Sequence, residues 1–362
     1  VQSKQAEMTT YQEGDIPMLI GTYTRNMGHV DGKAKGIYLA YLRDGRVLPS
    51  EVIEVGPNPS FLVKHPVKDF VYVVHEIGGS EGEPEGQLTA LTLDSLGNYT
   101  IANSRSTTGE APCHVSVNKY GTQVYTASYG SGIVESFPIG LNGATGRQNE
   151  TIKFEGSGPD PRQEAPHAHF IKEGPDGRVY AVDLGTDIVH VYTPQGGRLM
   201  PYTHNIKVSA GAGPRHIAFD KSNVYVLNEL NGTIEIWQST AGPYKHLQTI
   251  GTLSGGSKGI SHSAAIKITP NGKFLYASNR TGYNNIASYA IQPNGKLEFI
   301  TTTKTLGKGP RDFAIDPSGS SLLIANQDSD NIIVYKLDQR TGSLSDPIVS
   351  SGILTPVCIA FL

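Results

Sequence analysis

Short runs in which apolar residues alternate with polar ones fill this chain, and the runs come in sets. A segment of the form Pro-x-x-apolar-x-apolar appears as NPSFLV at Pro59, APCHVSV at Pro112, APHAHFI at Pro166 and GPRHIAF at Pro214. It continues as HSAAIKI, with Ser263 in the proline place, GPRDFAI at Pro310 and TPVCIAF at Pro356. The successive spacings are 53, 54, 48, 49, 47 and 46 residues, a period that marks one supersecondary unit per repeat. A second β-rich run follows each of the first six, as in FVYVVHE from Phe70, RVYAVDL from Arg178 and NVYVLNE from Asn223. A third follows, as in QLTALTL, DIVHVYT and TIEIWQ. Turns such as Pro270-Asn271-Gly272 separate the first two runs, as a hairpin requires.

The seventh set is divided between the two ends. Pro356–Phe361 supplies a first strand with no successor, while MLIGTYT from Met18 and GIYLAYL from Gly36 lack a first strand before them. Joining them completes a seventh unit and removes open sheet edges. The prediction is therefore all-β: a seven-bladed β-propeller with four-stranded blades over residues 17–362, its last blade closed by joining the N- and C-terminal strands. A sandwich gives no reason for a sevenfold period with divided ends, and the repeats lack the Trp-Asp ending of WD repeats and the paired glycines of kelch repeats. Residues 1–16 form a polar tail, of the kind left where a signal is removed. A cytoplasmic location is expected, and a periplasmic or exported one if such a signal preceded the tail.

Composition agrees and excludes several functions. Of 362 residues, 42 are glycine, 22 proline and 17% charged, which suits many strands and tight turns rather than long helices. A net charge of −3 without a basic face argues against nucleic acid. No apolar run is long enough to span a bilayer as a helix. The two cysteines, Cys113 and Cys358, stand in no metal or redox spacing and are expected as buried thiols. A nucleophile elbow and a phosphate-cradling Walker loop are both lacking, which argues against a serine hydrolase and a nucleotide enzyme. No cofactor is expected.

Antiparallel pairing sets the start of each first strand beside the end of the second, on one face of the propeller. Those places carry His114, His167, His169, Arg215, His216, His262, Arg311 and Asp312 at strand starts, and His75, Glu76, Tyr129, Asp183, Asn228, Glu229 and Arg280 at strand ends. Six of the 11 histidines fall there, which points to a pocket for an anionic ligand. Arginines such as Arg215, Arg280 and Arg311 hold phosphate or carboxylate through paired N–H donors, and a glutamate such as Glu229 among them is a candidate base. The competing reading of each histidine is a structural hydrogen bond between blades, and of Arg311-Asp312 a local ion pair. His167-x-His169 shares one strand face in a regular strand, but no carboxylate or thiolate stands at ligand spacing, so no metal is expected.

With these residues in view, the chain resembles the propeller-type 6-phosphogluconolactonases and their relatives, the fungal carboxy-cis,cis-muconate cyclases. The carrying motifs include IGTYT at Ile20, GSGPDPRQEAPHAHF at Gly156, DLGTD at Asp183, GAGPRHIAF at Gly211, NEL at Asn228 and GPRDFAI at Gly309. The likeness implies a seven-bladed propeller and a lactone ring opened by water, with 6-phospho-D-glucono-1,5-lactone or a similar anionic sugar lactone as partner. Its functional histidine falls on His167 or His169, its arginine on Arg215 and its carboxylate on Glu229; the second arginine is Arg280 or Arg311. Catalysis is expected from Glu229, His167 and Arg215, with His169, His216, Arg162, Gln163, Arg280, Arg311, His114 and Glu76 binding substrate. The alternatives are muconate lactonisation at the same cationic mouth and a non-catalytic binding propeller, which would lack a buried carboxylate there.

Overall fold

A computed structural model describes residues 8–78 and 85–362. Residues 1–7 of the expected tail lie outside the described residues, and the first strand, Ile16–Thr22, begins where that tail was expected to end. Asp15, just before it, is buried against Arg43 at 2.6 Å, in a two-pronged carboxylate–guanidinium pair.

Among the described residues the strands form seven antiparallel sheets in chain order, six of four strands and one with a fifth short strand, Ile206–Lys207. The fold is the seven-bladed β-propeller that the repeats predict. The seventh blade is made from both ends: Pro356–Phe361 pairs with Ile16–Thr22, then Ile37–Arg43 and Arg46–Ile53 follow. The chain divides into two compact units. One, Val1–Ser60 with Leu253–Gly256 and Ala264–Leu362, contains this blade and the two that precede it in sequence. The other, Phe61–Thr252 with Ser257–Ser263, contains the sheets between.

The second strand of a blade is mostly apolar and buried almost along its whole length because both faces are covered. Val71–His75 and Val179–Asp183 are buried at every position. A tyrosine recurs in these strands, and burial demands a partner for its hydroxyl. Tyr72 donates to Gly143 O at 3.0 Å, Tyr276 to Gly342 O at 2.8 Å, and Tyr225 to the Asp220 carboxylate at 2.8 Å. Gly143 and Gly342 have φ of 84° and 73°, so a tight turn presents each accepting carbonyl. The fourth strands alternate or are largely exposed, as in Tyr99–Ser106 and Glu150–Lys153.

One irregularity positions the site. The pairing of first with second strands slips by a residue near the start: Pro112 faces Ser128 but His114 faces Ala127, and Pro214 faces Asn228 but His216 faces Leu227. Ala168 faces Asp183 but Phe170 faces Val182, and Pro310 faces Asn326 but Asp312 faces Ala325. Each slip is a β-bulge, which leaves one residue outside the ladder and re-aims its side chain. Those residues are Cys113, Arg215, His169 and Arg311. In the blade of Ala168–Glu173, Ala168 takes the pairing place that Pro112 and Pro214 hold elsewhere. The proline phase read from the sequence is therefore two residues early there, and His167 belongs to the lead-in loop.

Candidate active site

Three bulged positions of one compact unit, Cys113, His169 and Arg215, are buried, and the residue after each, His114, Phe170 and His216, is buried too. Regular alternation would send Arg215 and His216 to opposite faces. The bulge instead leaves Arg215 Nη1 3.4 Å from His216 Nε2. A guanidinium only donates, so His216 Nε2 is the accepting atom of this contact. His114 is fixed the other way, since its Nδ1 accepts the Ile171 N–H at 3.2 Å. The rings pack as a layer: His114 lies 4.6 Å from Phe61, 4.2 Å from Phe170 and 5.6 Å from His216. His169 meets the same layer, 5.4 Å from His216, and its Nδ1 lies 3.6 Å from Cys113 Sγ.

Glu229 follows the strand Asn223–Asn228 and is 3% exposed. Its two oxygens meet two arginines. Oε2 lies 3.1 Å from Arg215 Nε, and Oε1 accepts from Arg162 Nη1 at 2.7 Å. Arg215 is buried, whereas the Arg162 side chain is 41% exposed. Burial works against the Arg162 cation, but the Glu229 and Tyr129 contacts outweigh it and its pKa is raised. Arg162 Nη2 also donates to the Tyr129 hydroxyl at 3.2 Å, and burial raises that phenol's pKa against the opposing pull of Arg162.

Tyr129 ties His167 to this group, its ring stacked on the imidazole at 4.4 Å between centroids. His167 Nδ1 donates to Tyr129 O at 2.9 Å, while Nε2 sits 3.1 Å from Glu164 Oε1. Both ring nitrogens are thus engaged by acceptor atoms. Glu164 is held below the usual carboxylate range by its own backbone N–H, with His167 adding to the effect and burial opposing it.

Two buried aspartates hold the loops in register. Asp183 accepts the His167 N–H at 2.7 Å, the Gly185 N–H at 3.0 Å and the Thr186 hydroxyl at 2.5 Å. Burial raises its pKa, and those three donors oppose the rise. Asp187, at φ 60°, accepts Gln163 Nε2 at 2.7 Å and Gly213 N at 2.8 Å on Oδ1, and Gly211 N at 2.7 Å on Oδ2. One carboxylate therefore joins the turn carrying Arg162 to the loop leading into Arg215. Gln163, expected to contact substrate, is 0% exposed, and its amide nitrogen is given to Leu184 O and Asp187.

The structure thus brings Arg162, Arg215 and Glu229 into direct contact and sets His216, His114, His169 and His167 around them. Glu76 is buried after the strand Phe70–His75, in a blade three earlier in the chain than that of Glu229. Arg280 and Arg311 belong to the other compact unit, where the Arg311 guanidinium lies 5.2 Å from the centre of the Tyr23 ring. Sequence reasoning gave no role to Asp187 or Tyr129. The signal for Tyr129 was its place at the end of a second strand, the position that also yields Glu229. Among the described residues no three His, Cys, Asp or Glu side chains are grouped to hold a metal ion, and no helix is long and apolar enough to cross a membrane.

Comparison with known proteins gives the family of the chain. The family model described as "Lactonase, 7-bladed beta-propeller" matches residues 17–361. An uncharacterised protein of Lactococcus lactis is 36% identical over 335 residues, covering 91% of this chain and 94% of that one. A 6-phosphogluconolactonase of Bacillus subtilis is 31% identical over 353 residues, covering 95% and 97%. The solved periplasmic gluconolactonase of Pseudomonas aeruginosa superposes with a TM-score of 0.87 at 27% identity, covering 96% of this chain and 99% of that one. The chain belongs to the family of seven-bladed β-propeller lactonases.

Proposed function

We propose that this protein hydrolyses a sugar lactone, with 6-phospho-D-glucono-1,5-lactone as the best candidate, and that Glu229 is the general base. The observation that carries this reading is a carboxylate 3% exposed and bracketed by two guanidiniums, one buried and one half in solvent. A relative named 6-phosphogluconolactonase and a solved gluconolactonase support the substrate class. A non-catalytic binding propeller gives no reason to bury such a carboxylate.

Glu229 takes a proton from water as the water oxygen bonds to the lactone carbonyl carbon. The carbonyl electrons move to oxygen, and the Arg215 N–H groups stabilise that oxyanion, an effect worth on the order of 10²–10³ in rate for a single donor. Collapse breaks the carbon–ring-oxygen bond, and the leaving oxygen receives the proton from Glu229. The product is the open-chain hydroxy acid. His169 and His216 offer hydrogen bonds to the sugar hydroxyls, and Arg162, the exposed cation, meets an anionic substituent. His167 is the weaker candidate for the base, because Tyr129 O and Glu164 already engage both its nitrogens.

Steady-state hydrolysis of phosphorylated and plain 1,5-lactones, corrected for spontaneous opening, tests the proposal. A kcat/KM higher for the phosphorylated sugar supports it. Equal turnover of plain and phosphorylated lactones would remove the phosphate from the assignment, and no turnover of any lactone would remove the activity.

A further inference from the structure

Arg162 stands in two relationships at once. It covers Glu229 Oε1 at 2.7 Å, yet its side chain is 41% exposed while Arg215 and Glu229 are buried at 2% and 3%. Its backbone is held firmly. It lies in the three-residue turn Pro161–Gln163, which Asp160 caps by accepting Arg162 N at 2.9 Å and which Gln163 closes by accepting Asp160 N at 3.2 Å. Gln163 is in turn anchored to Leu184 O and Asp187. The turn is fixed and only the guanidinium arm has solvent to move into. While it rests on Glu229, the base carries two cationic neighbours and is covered.

We infer that Arg162 is a substrate-exchanged latch: the anionic group of the substrate draws Arg162 off Glu229, which uncovers the carboxylate and strengthens it as a base. This rests on the lactonase reading above. An opposite charge within a few ångströms favours the ionised carboxylate and so weakens it as a proton acceptor. Moving one of two such charges to a phosphate raises the proton affinity of Glu229 at the moment that substrate is bound. Among the groups facing Glu229 are Arg162 from the turn, Arg215 with His216 beside it from the strand Pro214–Phe219, and Tyr129, joined through Arg162. Arg215, buried and held by His216, keeps its place for the oxyanion. Recognition of the distal anion is thus converted into catalysis rather than tighter binding alone.

The test separates the two parts of the substrate. Glucono-1,5-lactone supplies the reacting ring, and inorganic phosphite supplies the dianion. With the wild-type protein, saturating phosphite should raise kcat/KM for the plain lactone about threefold to tenfold. Arg162→Ala should hydrolyse the plain lactone faster than wild type by a similar factor and lose the response to phosphite. Its acid limb should move to higher pH, because Glu229 has lost one cation. Arg162→Lys, which keeps the charge, should retain part of the phosphite response. Wild-type protein that hydrolyses both lactones but ignores phosphite, or is inhibited by it, overturns the latch and leaves the lactonase reading standing. So does a slower Arg162→Ala with an unmoved acid limb. Protein that hydrolyses neither lactone ends both.

Discussion

Arg215 Nε lies 3.1 Å from Glu229 Oε2; both residues are buried, 2% and 3% exposed, Arg215 on one strand of a blade and Glu229 directly after the strand paired with it. A β-bulge makes the pairing possible, because it takes Arg215 out of the ladder between Pro214 and His216. Removing Arg215 takes one cation from Glu229, which keeps Arg162, so the loss lies toward the lower end of the roughly 3–5 kcal/mol typical of a broken buried pair. Arg215→Met should therefore lower stability by an amount of that order, and Glu229→Gln by less, since the amide oxygen still accepts. The double variant should be more stable than the sum of the singles predicts. Urea denaturation of the four proteins measures the coupling, and strict additivity would show that the ion pair contributes nothing.

Asp187 is a positioning residue. Asp187→Asn keeps one acceptor oxygen for Gln163 and Gly213 but replaces the oxygen that accepts Gly211 N with an NH2 group. Leaving the half-buried Gly211 N–H without its acceptor costs up to about 1–3 kcal/mol. The loop leading to Arg215 loosens, so kcat should fall by more than KM rises, while Asp187→Glu should not rescue because its longer arm does not fit the two glycine amides. Unchanged kcat in a destabilised Asp187→Asn would confine the residue to folding.

His190 gives a pH dependence of defined sign. It stacks on Phe154 at 4.1 Å and burial lowers its pKa from 6.5 to about 4. The unfolded chain therefore binds the proton that the folded chain refuses, and stability is lost as pH falls from about 6.5 toward 4. The depression corresponds to roughly 3 kcal/mol at the low end of that window. His190→Phe removes the titration and should flatten the difference in unfolding free energy between pH 7 and pH 4.5. An acid limb identical to wild type would contradict this.

Deleting residues 356–362 removes the first strand of the blade that both ends build. Val357, Cys358 and Ile359 are buried, and the strand pairs with Ile16–Thr22. Each buried apolar side chain contributes about 1.5–3 kcal/mol. The truncated protein should lose cooperative thermal unfolding or melt far below the full chain, and an unchanged melting curve would deny that the ends hold each other.

The blades were legible because their first three strands are short β-rich runs that recur at a fixed period, and the structure buries them at nearly every position, as Val71–His75 and Pro112–Val117 illustrate. Fourth strands such as Tyr99–Ser106 and Leu297–Lys304 are largely exposed, so nothing in their composition distinguishes them from loops. The meeting of Arg215 with Glu229 follows from reading strand starts against strand ends. The bulges do not, because an unpaired residue has no sequence mark beyond its neighbours. That is why the proline phase misplaced the blade of Ala168–Glu173 by two residues and set His167, a lead-in loop residue, in place of His169 level with Cys113. Gln163 and Asp187 act through backbone amides of glycines and loops, contacts that side-chain patterning does not record.

The measurement that bears most directly on the account is hydrolysis of 6-phospho-D-glucono-1,5-lactone by the wild-type protein and by Glu229→Gln, each confirmed folded by its melting curve. The account predicts turnover well above spontaneous opening for the first, and a loss of about 10²–10⁴ in kcat for the second. Equal rates in the two proteins would contradict it.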